Sequence, residues 1–113
     1  MNRPIAALRA GAFALAAFAL TTAAAPTNAA PTVHTIVIDK MKFAAPPKTL
    51  HAGDVVVWVN KDIFRHTATA KDKSFDVDLA PGASGRTVLR KAGAIPVLCR
   101  YHPGMTVRLS VAP

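Results

Sequence analysis

Residues 30–113 predict an all-β fold, a Greek-key β-sandwich of about seven or eight strands. Three observations carry that expectation. No stretch after residue 30 repeats apolar residues at helical spacing. Short β-branched runs recur instead, separated by Gly, Pro, Asn and Asp. One of them, Val55-Val56-Val57-Trp58-Val59-Asn60, is apolar on both faces, as a strand inside a sheet must be.

The first 29 residues stand apart. Arg3 and Arg9 form a basic start, residues 10–20 are an apolar run, and the small-residue stretch Thr21–Ala30 follows. That order is the pattern of a secretory signal peptide, with Thr27-Asn28-Ala29 placing cleavage after Ala29. The apolar run is shorter than the roughly 20 residues of a transmembrane helix, so no stable membrane insertion is expected. Retention as an anchor is the alternative. Export implies a periplasmic protein, with residues 30–113 as one domain.

The strands follow in order. Val33–Asp39 carries the cluster Thr35-Ile36-Val37-Ile38, and Met41-Lys42-Phe43 continues it. Ala44-Ala45-Pro46-Pro47 interrupts the pattern, and His51-Ala52-Gly53-Asp54 reads as a turn before the Trp58 strand. Trp58 itself belongs to the core. Lys61–Arg65 is a loop leading to a short strand, His66–Ala70. Residues 71–84 are polar, hold Pro81-Gly82, and read mostly as loop. Arg86–Arg90 is a strand. Ile95–Cys99 is another, in which Pro96 requires an edge or a bulge. Met105–Val111 closes the chain, with Val107, Leu109 and Val111 inward.

So small a domain sits near the limit for a self-sufficient core and often needs a metal or disulfides. With one cysteine there is no internal disulfide. An exported lone thiol is a liability unless buried or coordinated. The net charge of +8 falls to +6 without the leader, where twelve Lys and Arg face six Asp. These cations are scattered, with no nucleic-acid motif, so no nucleic-acid partner is expected. An acidic protein or anionic surface suits the charge better.

Cys99-Arg100-Tyr101-His102-Pro103-Gly104-Met105 is the stretch with chemistry. A thiol, an imidazole and a thioether recur three residues apart. Thiolate and imidazole suit several metals, but a soft thioether beside them points to copper. His102-Pro103-Gly104-Met105 reads as a β-turn, Pro at its second position and Gly at its third, which holds His102 and Met105 close. A His₂Cys set with a weak axial Met needs a second histidine. His34 stands at the start of the domain and His51 in an exposed turn. His66, at a strand start beyond the central strand, is the candidate that a sandwich can bring beside the last loop.

These features resemble the cupredoxin family of blue copper proteins, and within it the amicyanin-like branch with the short C-x₂-H-x₂-M loop. The resemblance runs from about Lys40 to Val111, through Met41-Lys42-Phe43, Ala52-Gly53-Asp54, Trp58-Val59-Asn60, His66, Lys91-Ala92-Gly93 and the ligand loop. It implies one type 1 copper ion held by His66, Cys99 and His102, with Met105 as weak axial ligand. It puts Thr67, where the family often has Asn, at the position whose backbone N–H bonds the Cys sulfur. It also puts Met41 and Phe64 near the copper rim. Arg65 and Tyr101 replace prolines, and Gly104 replaces a bulky apolar residue. Those changes predict a thinner, more cationic rim around His102.

The implied function is single-electron transfer, not enzymatic catalysis, by a monomer whose partner is an electron donor or acceptor such as a c-type cytochrome or a dehydrogenase. Copper scavenging or delivery through the same site is the alternative. A nucleophilic enzyme built on Cys99 and His102 lacks a substrate cleft and an oxyanion-hole motif.

Overall fold

The computed structural model describes residues 2–8, 10–22 and 30–113. The expected cleavage point after Ala29 and the basic residue Arg9 lie outside the described residues. Residues 2–8 and 10–22 form no strand or helix and are exposed. Among the described residues, no helix is long and apolar enough to cross a membrane.

Nine strands follow: β1 (Val33–Asp39), β2 (Lys42–Phe43), β3 (Leu50–His51), β4 (Val55–Asn60), β5 (His66–Ala70), β6 (Asp76–Leu79), β7 (Ser84–Val88), β8 (Gly93–Leu98) and β9 (Thr106–Ala112). They form two sheets in the orders β2-β1-β4-β7 and β3-β9-β8-β5-β6. Two pairs, β1 with β4 and β3 with β9, are parallel, and the other pairs are antiparallel. The all-β sandwich is therefore as the sequence predicts.

Alternation along each strand builds the core between the sheets. Ile36 and Ile38 of β1, Val56 and Trp58 of β4, Val97 of β8 and Leu109 of β9 are fully buried. Trp58 donates its indole N–H to Thr87 Oγ1 at 3.1 Å, which satisfies its one polar atom in that interior. Phe43 packs edge-on against it with ring centroids 5.8 Å apart. Val107, Leu109 and Val111 all turn inward on β9.

Several elements differ from expectation. Met41-Lys42-Phe43 does not continue β1. Lys40 and Met41 both take positive φ, +50° and +63°, the conformation of a two-residue hairpin turn, and the chain folds back so that Phe43 faces Ile38. His51 belongs to β3, because its segment pairs with the end of β9. Within the expected loop, Asp76–Leu79 forms β6, where Val77 and Leu79 turn inward and Asp76 and Asp78 outward. The two-residue strands β2 and β3 raise the count to nine.

Pro96 stands on an interior strand, yet its missing N–H disrupts nothing. Its carbonyl accepts from Lys71 N–H at 2.9 Å, just where β5 ends. A strand residue's N–H and C=O point to the same side, so the absent donor faces the gap beyond β5 and not β9. At the other side of the sandwich Gly85 lets β7 close on β6: a Cβ there would press into Val77 Cγ1.

Strand direction sets up the site. β4 ends at Asn60, β5 begins at His66, and β8 runs into Cys99, so all three meet at one end of the sandwich.

Candidate metal centre

The loop from Asn60 to His66 is pinned before it delivers the histidine. The buried Asn60 side chain donates to the carbonyls of Phe64 (2.8 Å) and Leu79 (3.0 Å) and accepts from Asp62 N–H at 2.9 Å. Asp62 Oδ2 in turn accepts from His66 Nε2–H and from Met41 N–H, each at 2.9 Å. A carboxylate can only accept, so the His66 proton resides on Nε2 and the Nδ1 lone pair faces inward. His66 is fully buried. The same two hydrogen bonds, His66 foremost, lower the Asp62 carboxyl to about 2.

Cys99 opens the second loop. Its N–H donates to the Met105 carbonyl and Met105 N–H donates to the His102 carbonyl, both at 3.1 Å. Gly104 has φ of +90°, so His102–Met105 is the type II turn that Pro and Gly predict. Thr67 fastens this loop to β5. Its N–H donates to Cys99 Sγ at 3.3 Å, the contact the family resemblance implies, and its hydroxyl accepts from Arg100 N–H at 2.9 Å. Each hydroxyl has one proton, so the chain runs on from Thr67 to Thr69 Oγ1 and from Thr69 to Asp76 Oδ1 (2.8 and 2.7 Å).

These two loops bring three donor atoms together. His66 Nδ1 and His102 Nδ1 are 3.1 Å apart, and they lie 3.8 and 3.5 Å from Cys99 Sγ. Among the described residues this is the one His, Cys and carboxylate cluster close enough to share an ion. Donors bonded at about 2.0 Å (nitrogen) and about 2.3 Å (sulfur) to one ion are spaced in this way. At 3.1 Å the two Nδ1 atoms are close enough to share either one proton or one cation. The donor set fits copper, because thiolate with two imidazoles is the strong set of a blue-copper site.

The thiol is prepared for such a role. Burial pushes Cys99 up, but Thr67 N–H, the facing His102 and His66 rings and Tyr101 N–H outweigh it and bring the thiol down to about 6. At neutral pH it is mainly thiolate, the form that binds metal. Met105 is buried on the same loop and, with Met41 and Gly104, lines a shallow hollow.

The rim differs from the expected cationic surface. Arg65 Nε donates to Asp78 Oδ1 at 2.8 Å, and Arg100 Nε to Asp76 Oδ1 at 3.1 Å. Both charges are thus compensated by β6, the strand that was expected to be loop. Tyr101 O–H also donates to Asp78. Apolar surface remains: Ile63 is 79% exposed, and Phe64 stacks edge-on to His102 with centroids 6.2 Å apart. His102, half-buried, shares a shallow hollow with Phe64, Arg65 and Tyr101. Met41 and Phe64 both stand at this end, as the resemblance implies.

His34 and His51 lie at the opposite end, around Asp54. His34 is not a free surface group: its Nε2–H donates to Asp54 Oδ2 at 2.9 Å, and its side chain is 14% exposed. His51 is exposed, with Nδ1 4.0 Å from the same oxygen.

Sequence reasoning missed Asp62, Asn60 and the Thr67 hydroxyl. A carboxylate four residues before a candidate ligand was a signal for Asp62. Asn60 offered only the local turn to Asp62 N–H, with its Leu79 partner far along the chain, and the Thr67 hydroxyl offered none, because Arg100 N–H is 33 residues away.

No protein-family model matches the chain. It is 29% identical over 80 residues to amicyanin from Paracoccus versutus, covering 66% of this chain and 61% of that protein. The chain therefore spans less than two thirds of that relative's length. The crystal structure of Paracoccus versutus amicyanin superposes with a TM-score of 0.59 at 25% identity, over 77% of this chain and 84% of that one. A purple cupredoxin from Nitrosopumilus maritimus superposes with a TM-score of 0.59 at 18% identity, over 70% and 99%. The chain thus shares the cupredoxin fold of these proteins, and it gathers two imidazole nitrogens and a thiol at one end of that fold, a donor set that fits a single type 1 copper ion.

Proposed function

We propose that residues 30–113 form an exported, periplasmic one-electron carrier, released by cleavage after Ala29. His66, Cys99 and His102 would hold the copper as its strong ligands, with Met105 as a fourth, weaker donor. The convergence of the two Nδ1 atoms and the Cys99 sulfur carries this reading. Bound copper supplies the Cu(I)/Cu(II) couple.

The chain's own residues keep the change small and the path short. Asp62 orients the His66 ring, Thr67 N–H holds the Cys99 sulfur, and the His102–Met105 turn fixes the other donors. A frame already arranged in this way resists rearrangement when the charge at its centre changes. His102 offers the exposed edge for exchange, and Ile63, Phe64 and Tyr101 supply apolar surface around it for a protein partner. A c-type cytochrome or a dehydrogenase is a suitable class. The amicyanin relatives support a carrier over an enzyme.

The test is to load the purified protein with Cu(II) and record visible and electron paramagnetic resonance spectra. An intense blue band with narrow copper hyperfine splitting is expected, and Cys99→Ser abolishes it. A pale tetragonal spectrum, or a Cys99→Ser variant that stays blue, overturns the ligand assignment. Rapid reversible electron exchange with a c-type cytochrome is expected of a carrier. Its absence in a protein that is blue favours copper delivery.

A further inference from the structure

The positive charge of the domain is concentrated away from the metal end. β5 starts at His66 and ends at Ala70, and β8 starts at Gly93 and runs towards Cys99. The β5–β6 hairpin and the β7–β8 connection therefore lie one strand length away, roughly 16 Å along β5. Lys71 and Lys73 stand on the first and Arg90 and Lys91 on the second, all exposed. Lys73, Arg90 and Lys91 border one hollow and Lys71 and Arg108 another; Lys71 and Lys73 stand two residues apart on one hairpin and join the five cations into one strip.

Asp72 is the one carboxylate within that strip, 4.0 Å from Lys91. The strip thus holds four of the six net positive charges of residues 30–113. At the metal end, by contrast, Arg65 and Arg100 are paired with Asp78 and Asp76, and the exposed Lys40, Lys42 and Lys61 stand with Asp39 and Asp62, which leaves one net positive charge there. The charge that steers association is separate from the exposed edge of His102.

We propose that this strip docks the protein on an anionic phospholipid surface, leaving the metal end turned away and free for its partner. This rests on the electron-carrier reading only for the use of that orientation. Two observations select a bilayer over an acidic protein. First, the strip carries no exposed aromatic anchor of the kind that dominates protein interfaces, where Lys is depleted. Lysine-rich clusters bind anionic headgroups without such anchors. Second, the chain approaches from this side. Ala30-Pro31-Thr32 leads into the start of β1, which pairs with the start of β4 at Val55, at the end opposite the metal. The apolar residues 10–22 precede it, so until cleavage after Ala29 this end of the domain is the one held nearest the membrane.

The test is sedimentation of the purified full chain with vesicles of phosphatidylcholine alone or mixed with phosphatidylglycerol, read as the ratio of the two affinities. The neutral vesicles report any binding by the apolar N-terminal segment. The ratio is expected to favour anionic vesicles, to collapse at high salt, and to fall on the order of 100-fold when Lys71, Lys73 and Lys91 are all replaced by Gln, each cation being worth about fivefold. The blue band should be unchanged in that variant. A ratio near one, or a ratio the triple variant keeps, overturns the proposal. So does retention on immobilised polyglutamate that depends on the same lysines without any vesicle binding, which assigns the strip to an acidic protein. Loss of the blue band in the wild-type chain tests the metal reading separately.

Discussion

Asp62 Oδ2 holds His66 by its outer nitrogen, Nε2–H to carboxylate at 2.9 Å, while accepting Met41 N–H at the same distance. One oxygen thus fixes the proton on the ring that faces Cys99 and His102 and the backbone of a strained turn. Lys40 and Met41 both have positive φ without being glycine, a conformation that costs about 1–2 kcal/mol per residue. The turn and the ligand stand or fall together.

Asp62→Ala should therefore lower copper affinity by about 10–100-fold, the usual effect of removing a ligand's orienting partner. Asp62→Asn, whose amide oxygen still accepts, should lose less. Chelator competition followed by the blue band measures both, and equal losses in the two variants would show that orientation by an acceptor is not what Asp62 contributes.

Met105 is the weak axial donor in the proposed site. Met105→Leu keeps the volume of a buried side chain but removes the thioether, so the blue band should persist. Its reduction potential should rise, because the donor that helps stabilise the more positive ion is gone. Protein-film voltammetry reads the shift. An unchanged potential would remove Met105 from the ligand set.

Gly85 lies where β7 closes against β6, and a methyl group there meets Val77 Cγ1. Gly85→Ala should destabilise the domain by about 1–3 kcal/mol through overpacking. The urea midpoint of the metal-free protein reports it, and the double change Gly85→Ala with Val77→Ala should recover part of the loss.

Asp54 ties the two ends of neighbouring segments, accepting from the His34 ring, His51 N–H and Thr32 N–H. These bonds, His34 first, hold its carboxyl below the ordinary 3.8. A carboxyl lowered by folding adds stability above its unfolded value, and that stability disappears as pH falls through the folded one. Unfolding by urea should become easier as pH falls below about 4, and His34→Ala should flatten that acid dependence. An unaltered slope in the variant would assign the effect to the other carboxylates.

Much of this protein was legible from residue order alone. Alternation in Val33–Asp39 and Thr106–Val111, the doubly apolar β4, and Pro-Gly in the last loop are local signals, and local backbone physics acts on them directly. The Cys99, His102 and Met105 spacing is local in the same sense, because a single turn carries all three. The edge strand β6 escaped notice because only Val77 and Leu79 of it turn inward, between outward aspartates.

What the tertiary structure decided were the relations across the sandwich. Two loops distant in sequence bring His66 against Cys99 and His102, and that meeting depends on which strands are neighbours. The same packing chose Asp62 as orienter, tied the Thr67 hydroxyl to Arg100 N–H, and set Asp76 and Asp78 against the two arginines that composition alone counted as free charge. Residue type states what a side chain can donate, accept or bind. Which partner it finds depends on strand order, because electrostatic and hydrogen-bonding contacts act over a few ångströms and the chain must fold before those ångströms exist.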